Sequence, residues 1–505
     1  MIRLGVSLKD RRAVFVCALL ALAGAASAAE YEFEVTFPKT LRSAAYTGRV
    51  YLFFSKQPRF EPRAGPNWFQ PEPMVALDVE EWGPETPLRL GASLGSRLLA
   101  FPKPLAELDL AGHRVQAVAR FNPFVREVGR GEGNGYSDVA PVAEHAGAGP
   151  QTLTVDKLVE SLPFPENKWC KLLEVHSPLL SAFHRRPMTV RGAVLLPASY
   201  HDTPERRYPV LFQVSGFGGN HRSGIRREPL QEKNEAGVEF LRVYLDAECP
   251  LGHHVFADSD NNGPVGKSLV EEFIPALDRQ YRTVPAATAR FLTGHSSGGW
   301  STLWLQVTYP ETFGGTWSTA PDPVDFRDFQ RINMYAPEEN MYRDGSGNRR
   351  PLARVGDRVA VWYEDFDRME ELAGFGGQLH SFEAVFSAKG ADGKPVRAWN
   401  RQTGQVNTEA ARHWERYDIR LILETHWKEL GPKLAGKLHV FMGENDTFYL
   451  EGATRNLKKT LEELGSDAVV EMVPGRDHMN LMTPSLVARI RSEMVQAFLK
   501  HHAVE

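Results

Sequence analysis

The spacing of hydrophobic and polar positions changes character along the chain. From residue 31 to 37 they alternate strictly (Tyr-Glu-Phe-Glu-Val-Thr-Phe), as a strand with one wet face requires. Strand-like runs recur at 49–54, 115–120 and 152–155, with turn-rich stretches such as 131–135 between them and no helical period. Several short strands without a helix predict a small all-β sandwich over residues 29–170, whose end is marked by Leu162-Pro163-Phe164-Pro165.

Beyond about residue 185 strands alternate with amphipathic helices. Strands are predicted at 190–196, 208–214, 240–245, 290–293, 316–319, 439–442 and 469–473. Leu269, Val270, Phe273, Ile274, Leu277 and Tyr281 share one helical face; Leu457, Leu461 and Leu464 share another, with Gly465 as C-cap. A last helix opens on Thr483-Pro484 and carries Leu486, Ile490, Met494 and Phe498 in one stripe. This grammar predicts an α/β unit over 171–505, a mostly parallel sheet with helices on both faces. Residues 321–436 interrupt it with a charged stretch holding aromatic patches at Trp362-Tyr363 and 382–386. An insertion at this place in a sheet is expected to serve as a lid or pocket wall, the alternative being an inert surface elaboration.

Composition narrows the class. The 505 residues, 42% hydrophobic and 24% charged, suit two or three globular domains and exclude a disordered, collagen-like or multi-span membrane chain. Arg3, Lys9, Arg11 and Arg12, an apolar run from 13 to 23 and Ala26-Ser27-Ala28 read as a secretory signal peptide over 1–28, too short in its apolar part to span a bilayer. The expectation is a secreted or periplasmic protein. Removing that segment takes the formal charge from −4 to −7, since it holds four basic residues and Asp10. An acidic chain without a basic stripe argues against nucleic acid as partner. Cys170 and Cys249 remain; a disulfide between them is expected, two separate buried thiols being the alternative.

Gly294-His295-Ser296-Ser297-Gly298 matches G-x-S-x-G. The pattern alone is weak, for Gly91-Ala92-Ser93-Leu94-Gly95 matches too, but only the second follows a strand and precedes a helix. Such an elbow lifts the Ser296 hydroxyl clear of the sheet over a helix N-terminus, with Gly294 and Gly298 glycine because side chains there would collide across the turn. His295 is expected to point elsewhere, in a structural role. A serine nucleophile needs a base, and the base an orienting carboxylate, each from a later strand end. Asp446 follows strand 439–442 and His478 follows strand 469–473; Glu444 is the rival acid and Asp477 a weaker one. The oxyanion hole needs two backbone N–H groups, one from Ser297 and one from Phe217 or Gly218 in the loop Ser215-Gly216-Phe217-Gly218-Gly219.

The polar loop 252–264 offers Asp258, Ser259 and Asn261 as substrate contacts. Its adjacent histidines, 253 and 254, would point apart on an extended segment, which argues against a metal site. Trp68, Phe69 and Trp82 of the sandwich are candidates either to face a ligand or, as preferred here, to pack against the α/β unit.

The stretches Glu271-Glu272-Phe273-Ile274-Pro275 through Tyr281-Arg282, then 294–299, then Tyr309-Pro310-Glu311-Thr312-Phe313-Gly314 resemble the putative-esterase family of α/β hydrolases, which includes esterase D-like, feruloyl and enterochelin esterases and mycolyltransferases. The resemblance covers roughly 185–320 and 437–500. It implies an α/β-hydrolase fold, Ser296, Asp446 and His478 as triad, and a preceding sandwich as in enterochelin-esterase relatives. Ser215-Gly216, where many α/β hydrolases have His-Gly, and the long insertion depart from the pattern. The expectation is a serine esterase acting through an acyl-enzyme on a small-molecule or glycan-linked ester, without cofactor or metal. The alternatives are an acyltransferase with the same triad and an inactive glycan-binding homologue; the oligomeric state stays open.

Overall fold

The computed structural model describes residues 31–502 apart from 144–148, 232, 233 and 235. The segment read as a signal peptide lies outside the described residues.

Among the described residues, nine strands between Glu32 and Leu158 form one hydrogen-bonded sheet rather than two separate ones, eight in a continuous path and the short Ala140–Pro141 paired off it. The path folds over on itself, so Phe33 and Val35, inward on their alternating strand, meet residues of a strand that is not a sheet neighbour; the Phe33 and Phe54 rings stand 5.5 Å apart. Met74–Trp82, not foreseen from the sequence, is a strand buried on both faces over its first four residues: Val75 and Leu77 enter this core, while Met74 and Ala76 face the later insertion; Asp78 and Glu80 beyond them are exposed. Trp82 packs inward, edge-on to Phe37 at 4.6 Å.

The second sheet has eight strands: β1 (Cys170–His176), β2 (Thr189–Leu195), β3 (Val210–Val214), β4 (Leu241–Leu245), β5 (Arg290–His295), β6 (Gly315–Thr319), β7 (Leu438–Gly443) and β8 (Val469–Val473). Their spatial order is β1-β2-β4-β3-β5-β6-β7-β8, and β2 alone runs antiparallel to its neighbours. β3 to β6 are almost wholly buried, as expected of a parallel sheet covered on both faces. The helix Pro484–Leu499 is capped as its sequence requires, the Thr483 hydroxyl accepting from Leu486 N–H at 3.2 Å, and buries Leu486, Ile490, Met494 and Phe498.

Between β6 and β7 the insertion forms a hairpin, Pro351–Val355 with Arg358–Trp362, and helices that include Tyr363–Ala373 and Gln378–Phe386. It packs on the helix Ser297–Thr308, Phe386 standing 5.2 Å from Trp300. It also grips the first sheet: Tyr51 Oη donates to Ala373 O at 2.8 Å, Arg49 to the carbonyls of Glu371 and Leu372, and Arg120 to that of Phe375.

The disulfide expectation fails. Both cysteines are free; Cys170 Sγ lies against Gly224 O at 3.7 Å, whereas Cys249 Sγ lies against Asn262 Oδ1 at 3.5 Å in a different loop. No helix among the described residues is long and apolar enough to cross a membrane.

Candidate active site

Ser296 sits between β5 and the helix Ser297–Thr308 with φ 60° and ψ −128°, a conformation that costs a non-glycine residue about 1–3 kcal/mol. The surroundings impose it: Ser296 N–H donates to Thr319 O at 3.0 Å, and its carbonyl accepts from Trp300 N–H at 3.0 Å. The two flanking glycines are sterically obligatory. A Cβ on Gly294 would lie 2.2 Å from Gly298 O, and one on Gly298 would lie 2.1 Å from Val214 O. Ser93, the other match, lies in a short 3₁₀ segment on the first sheet.

His478 and Asp446 meet from separate strand ends. His478 Nδ1 donates to Asp446 Oδ2 at 2.8 Å, and both residues are buried. Asp446 Oδ1 accepts from Phe448 N–H at 2.8 Å, and its carbonyl from Arg354 Nε at 3.0 Å, so the insertion hairpin steadies the acid loop. The rivals are engaged elsewhere: Asp477 accepts from the N–H groups of Met479 and Asn480 in its own turn. Glu444 has its N–H on Val473 O and takes no part in the His478 pair. Burial disfavours the charged imidazole of His478, but the Asp446 carboxylate outweighs it, helped by Asp322 and Asp477, so its pKa rises above the ordinary value of 6.5.

His295 does not point elsewhere. Its Nε2 donates to the carbonyl of His478 at 3.1 Å and the two rings stand 4.7 Å apart; burial and the neighbouring His478 drive its pKa down to about 4, so it is neutral near pH 7. Gly216 abuts Ser296, since a Cβ there would lie 3.2 Å from Ser296 Cβ. The adjoining loop is held by His253, whose Nε2 donates to Ser215 O at 3.0 Å. Phe217 thus stands beside Ser296, and Gly218 follows with φ 84°. Ser297 opens its helix, where an N–H has no intrahelical acceptor.

These groups line one cavity of about 510 Å³ that holds Ser296, His478, Gly216 and Phe217. Its walls come from three distant stretches of chain. Trp68 and Phe69 reach in from the first sheet's loops, Phe366, Gln378 and Phe382 from the insertion, and Met479 and Met482 from the loop after β8. Trp68 bridges these walls, 5.6 Å from Phe217 and 5.1 Å from Phe366. The preference for Trp68 and Phe69 as mere packing is corrected: they pack and also line the cavity, while Trp82 is core. The insertion is a pocket wall, not an inert elaboration.

Sequence reasoning missed Asp322. It follows β6 on the same sheet edge, in Ala320-Pro321-Asp322-Pro323, and that strand-end position was the available signal. Its carboxylate accepts from Ser297 Oγ at 2.5 Å and from Gln378 Nε2 at 3.4 Å, and burial pushes its pKa up to about 6. In contrast, the structure does not bring Asp258, Ser259 and Asn261 to the cavity. Asp258 caps the helical segment at Gly266 and Lys267, Ser259 lies against Ala384 O, and Asn261 donates to Ser387 O, so the first secures its own loop and the other two anchor the insertion. Among the described residues no group of three or more His, Cys, Asp or Glu is placed to hold a metal.

A buried imidazole–carboxylate pair and a strained serine sharing one cavity are the equipment of a serine hydrolase. Residues 181–421 match the family model described as Putative esterase, the family whose resemblance the motifs carry. An endo-1,4-beta-xylanase/feruloyl esterase of Xylanibacter ruminicola is 31% identical over 136 residues, 24% of this chain; the match spans 18% of that protein's length. Among solved structures, a ferulic acid esterase covers 65% of this chain and 99% of its own, at 14% identity and TM-score 0.39. An S-formylglutathione hydrolase from Agrobacterium tumefaciens covers 66% and 94%, at 14% identity and TM-score 0.38.

Proposed function

We propose that the protein is an exported serine hydrolase of carboxylic esters with an α/β-hydrolase fold. The observation that carries the reading is the convergence of Ser296, in its strained turn, and the His478–Asp446 pair on one cavity. The strand order with β2 alone reversed supports the fold; the export rests on residues 1–28 alone. His478 takes the proton of Ser296 Oγ as that oxygen bonds to the ester carbonyl carbon. The N–H groups of Ser297 and Phe217 (or Gly218) hold the developing oxyanion. His478 returns the proton to the alkoxide as the C–O bond breaks, and a water activated by the same imidazole releases the acid. Asp446 fixes the Nδ1–H tautomer and stabilises the imidazolium.

The insertion wall supports an apolar acyl group, with Phe366, Leu379 and Phe382 beside Ser296. Aryl esters of acetyl, longer acyl and feruloyl groups test both points. The longer and aromatic acyl esters are expected to exceed acetyl by about tenfold or more in kcat/KM, since each buried CH₂ contributes about 0.8 kcal/mol. Hydrolysis of none of them would contradict the reading.

Asp322 bears on pH. Its carboxylate helps raise the pKa of His478, which must be neutral to act as base. Asp322→Asn removes that charge, so the acid limb of kcat/KM is expected to move to lower pH. A pH–rate profile checks this; an unmoved limb or an upward shift counts against it.

A further inference from the structure

We propose that the alcohol part of the ester is apolar, an alkyl or arylalkyl group, and that Met479, Met482 and Phe69 select it. The inference rests on the ester-hydrolase reading and specifies the substrate of the same site.

The leaving oxygen must come within hydrogen-bond reach of the His478 imidazole to receive its proton, so the first atoms of the alcohol lie beside residue 479. The Phe448 ring stands 5.0 Å from that of His478, Phe69 lies 6.1 Å from Phe448, and Met479 and Met482 line the same cavity. Met479, Met482 and Phe69 are 74%, 42% and 36% exposed. The fold does not need them in its core, and none belongs to one of its hydrophobic clusters. Other exposed large apolar residues, such as Phe60, Phe124 and Leu162, lie elsewhere; only these three border the cavity, and a grouped apolar rim marks a contact surface. Methionine's unbranched, polarizable chain suits an adaptable apolar ligand.

Several polar groups of the cavity are already engaged. Asp322 and Gln378 bond each other and Ser297. Gln330 donates to Phe448 O and accepts from Tyr363 Oη, and His295 holds the His478 carbonyl. A sugar or glycerol leaving group would gain few protein hydrogen bonds along this thioether and ring surface, whereas an apolar one would cover it and remove apolar area from water.

The test compares benzyl butyrate with methyl 6-O-butyryl-glucoside, which share an acyl group and leave as alkoxides of similar basicity. The wild-type protein is expected to favour the benzyl ester at least tenfold in kcat/KM. M479S/M482S is expected to lower that ratio at least fivefold, chiefly through KM for the benzyl ester, with an unchanged melting temperature. A wild-type ratio near one, a preference for the glucoside, or a ratio unaltered in the double variant overturns the proposal while leaving ester hydrolysis standing. Hydrolysis of neither ester above the Ser296→Ala background overturns the ester-hydrolase reading and this proposal with it.

Discussion

Ser296→Ala is expected to lower kcat for ester hydrolysis by roughly 10⁶-fold, leaving the residue of rate that an oxyanion hole and binding supply without a nucleophile. The size follows from the chemistry assigned to this hydroxyl: without Oγ no acyl-enzyme forms, and water must attack directly. The variant should fold, because the turn is fixed by backbone bonds to Thr319 and Trp300 rather than by the serine side chain. Ser296→Gly carries the test further. Glycine adopts φ near +60° without strain, so this variant is expected to be equally inactive yet to melt higher than the wild type. Progress curves on an aryl ester and a thermal melt of both variants check the two halves; an inactive variant that melts lower would deny the stored strain.

Asp446→Asn is expected to cost about 10⁴-fold in kcat, because an amide facing Nδ1 favours the wrong tautomer and leaves the imidazolium unsupported. Its pH signature is as informative as its size. In the wild type the carboxylate raises the His478 pKa above 6.5, so kcat/KM is lost as pH falls through that raised value. With asparagine the main raising influence is gone, burial pushes the imidazole down, and the residual activity should persist to lower pH. Glu444→Gln, whose side chain takes no part in the pair, is expected to stay active. If Glu444→Gln instead showed the large loss, the acid would be misassigned.

The main sheet was legible because its strands are apolar runs cut by glycine-rich turns, and seven of the eight follow that grammar. β1 escaped because it is an edge strand with five of its seven residues only partly or not buried, in an alternating pattern broken at Lys171-Leu172. Met74–Trp82 escaped for the opposite reason: with the insertion covering the outer face of its first half, the period-2 signal is erased over Met74–Leu77 and survives only from Leu77 to Glu80. The pairing of Asp446 with His478 was legible from their strand-end positions, not from residue type. Asp258, Ser259 and Asn261 misled because a polar loop looks the same in sequence whether it binds a ligand or, as here, ties down a neighbouring segment. Of the cavity, only the insertion's part as a wall was legible, not which of its residues form it. Its walls come from residues near 68, 370 and 480, which meet only when the first sheet, the insertion and the last strand loop pack together.

The most direct measurement is reaction with a fluorophosphonate followed by peptide mass spectrometry. One equivalent is expected to add to Ser296 and to no other residue, and labelling should fall sharply in His478→Ala. Adduct on a different serine, or none in a folded protein that cleaves esters, would contradict the assignment of this hydroxyl as the nucleophile.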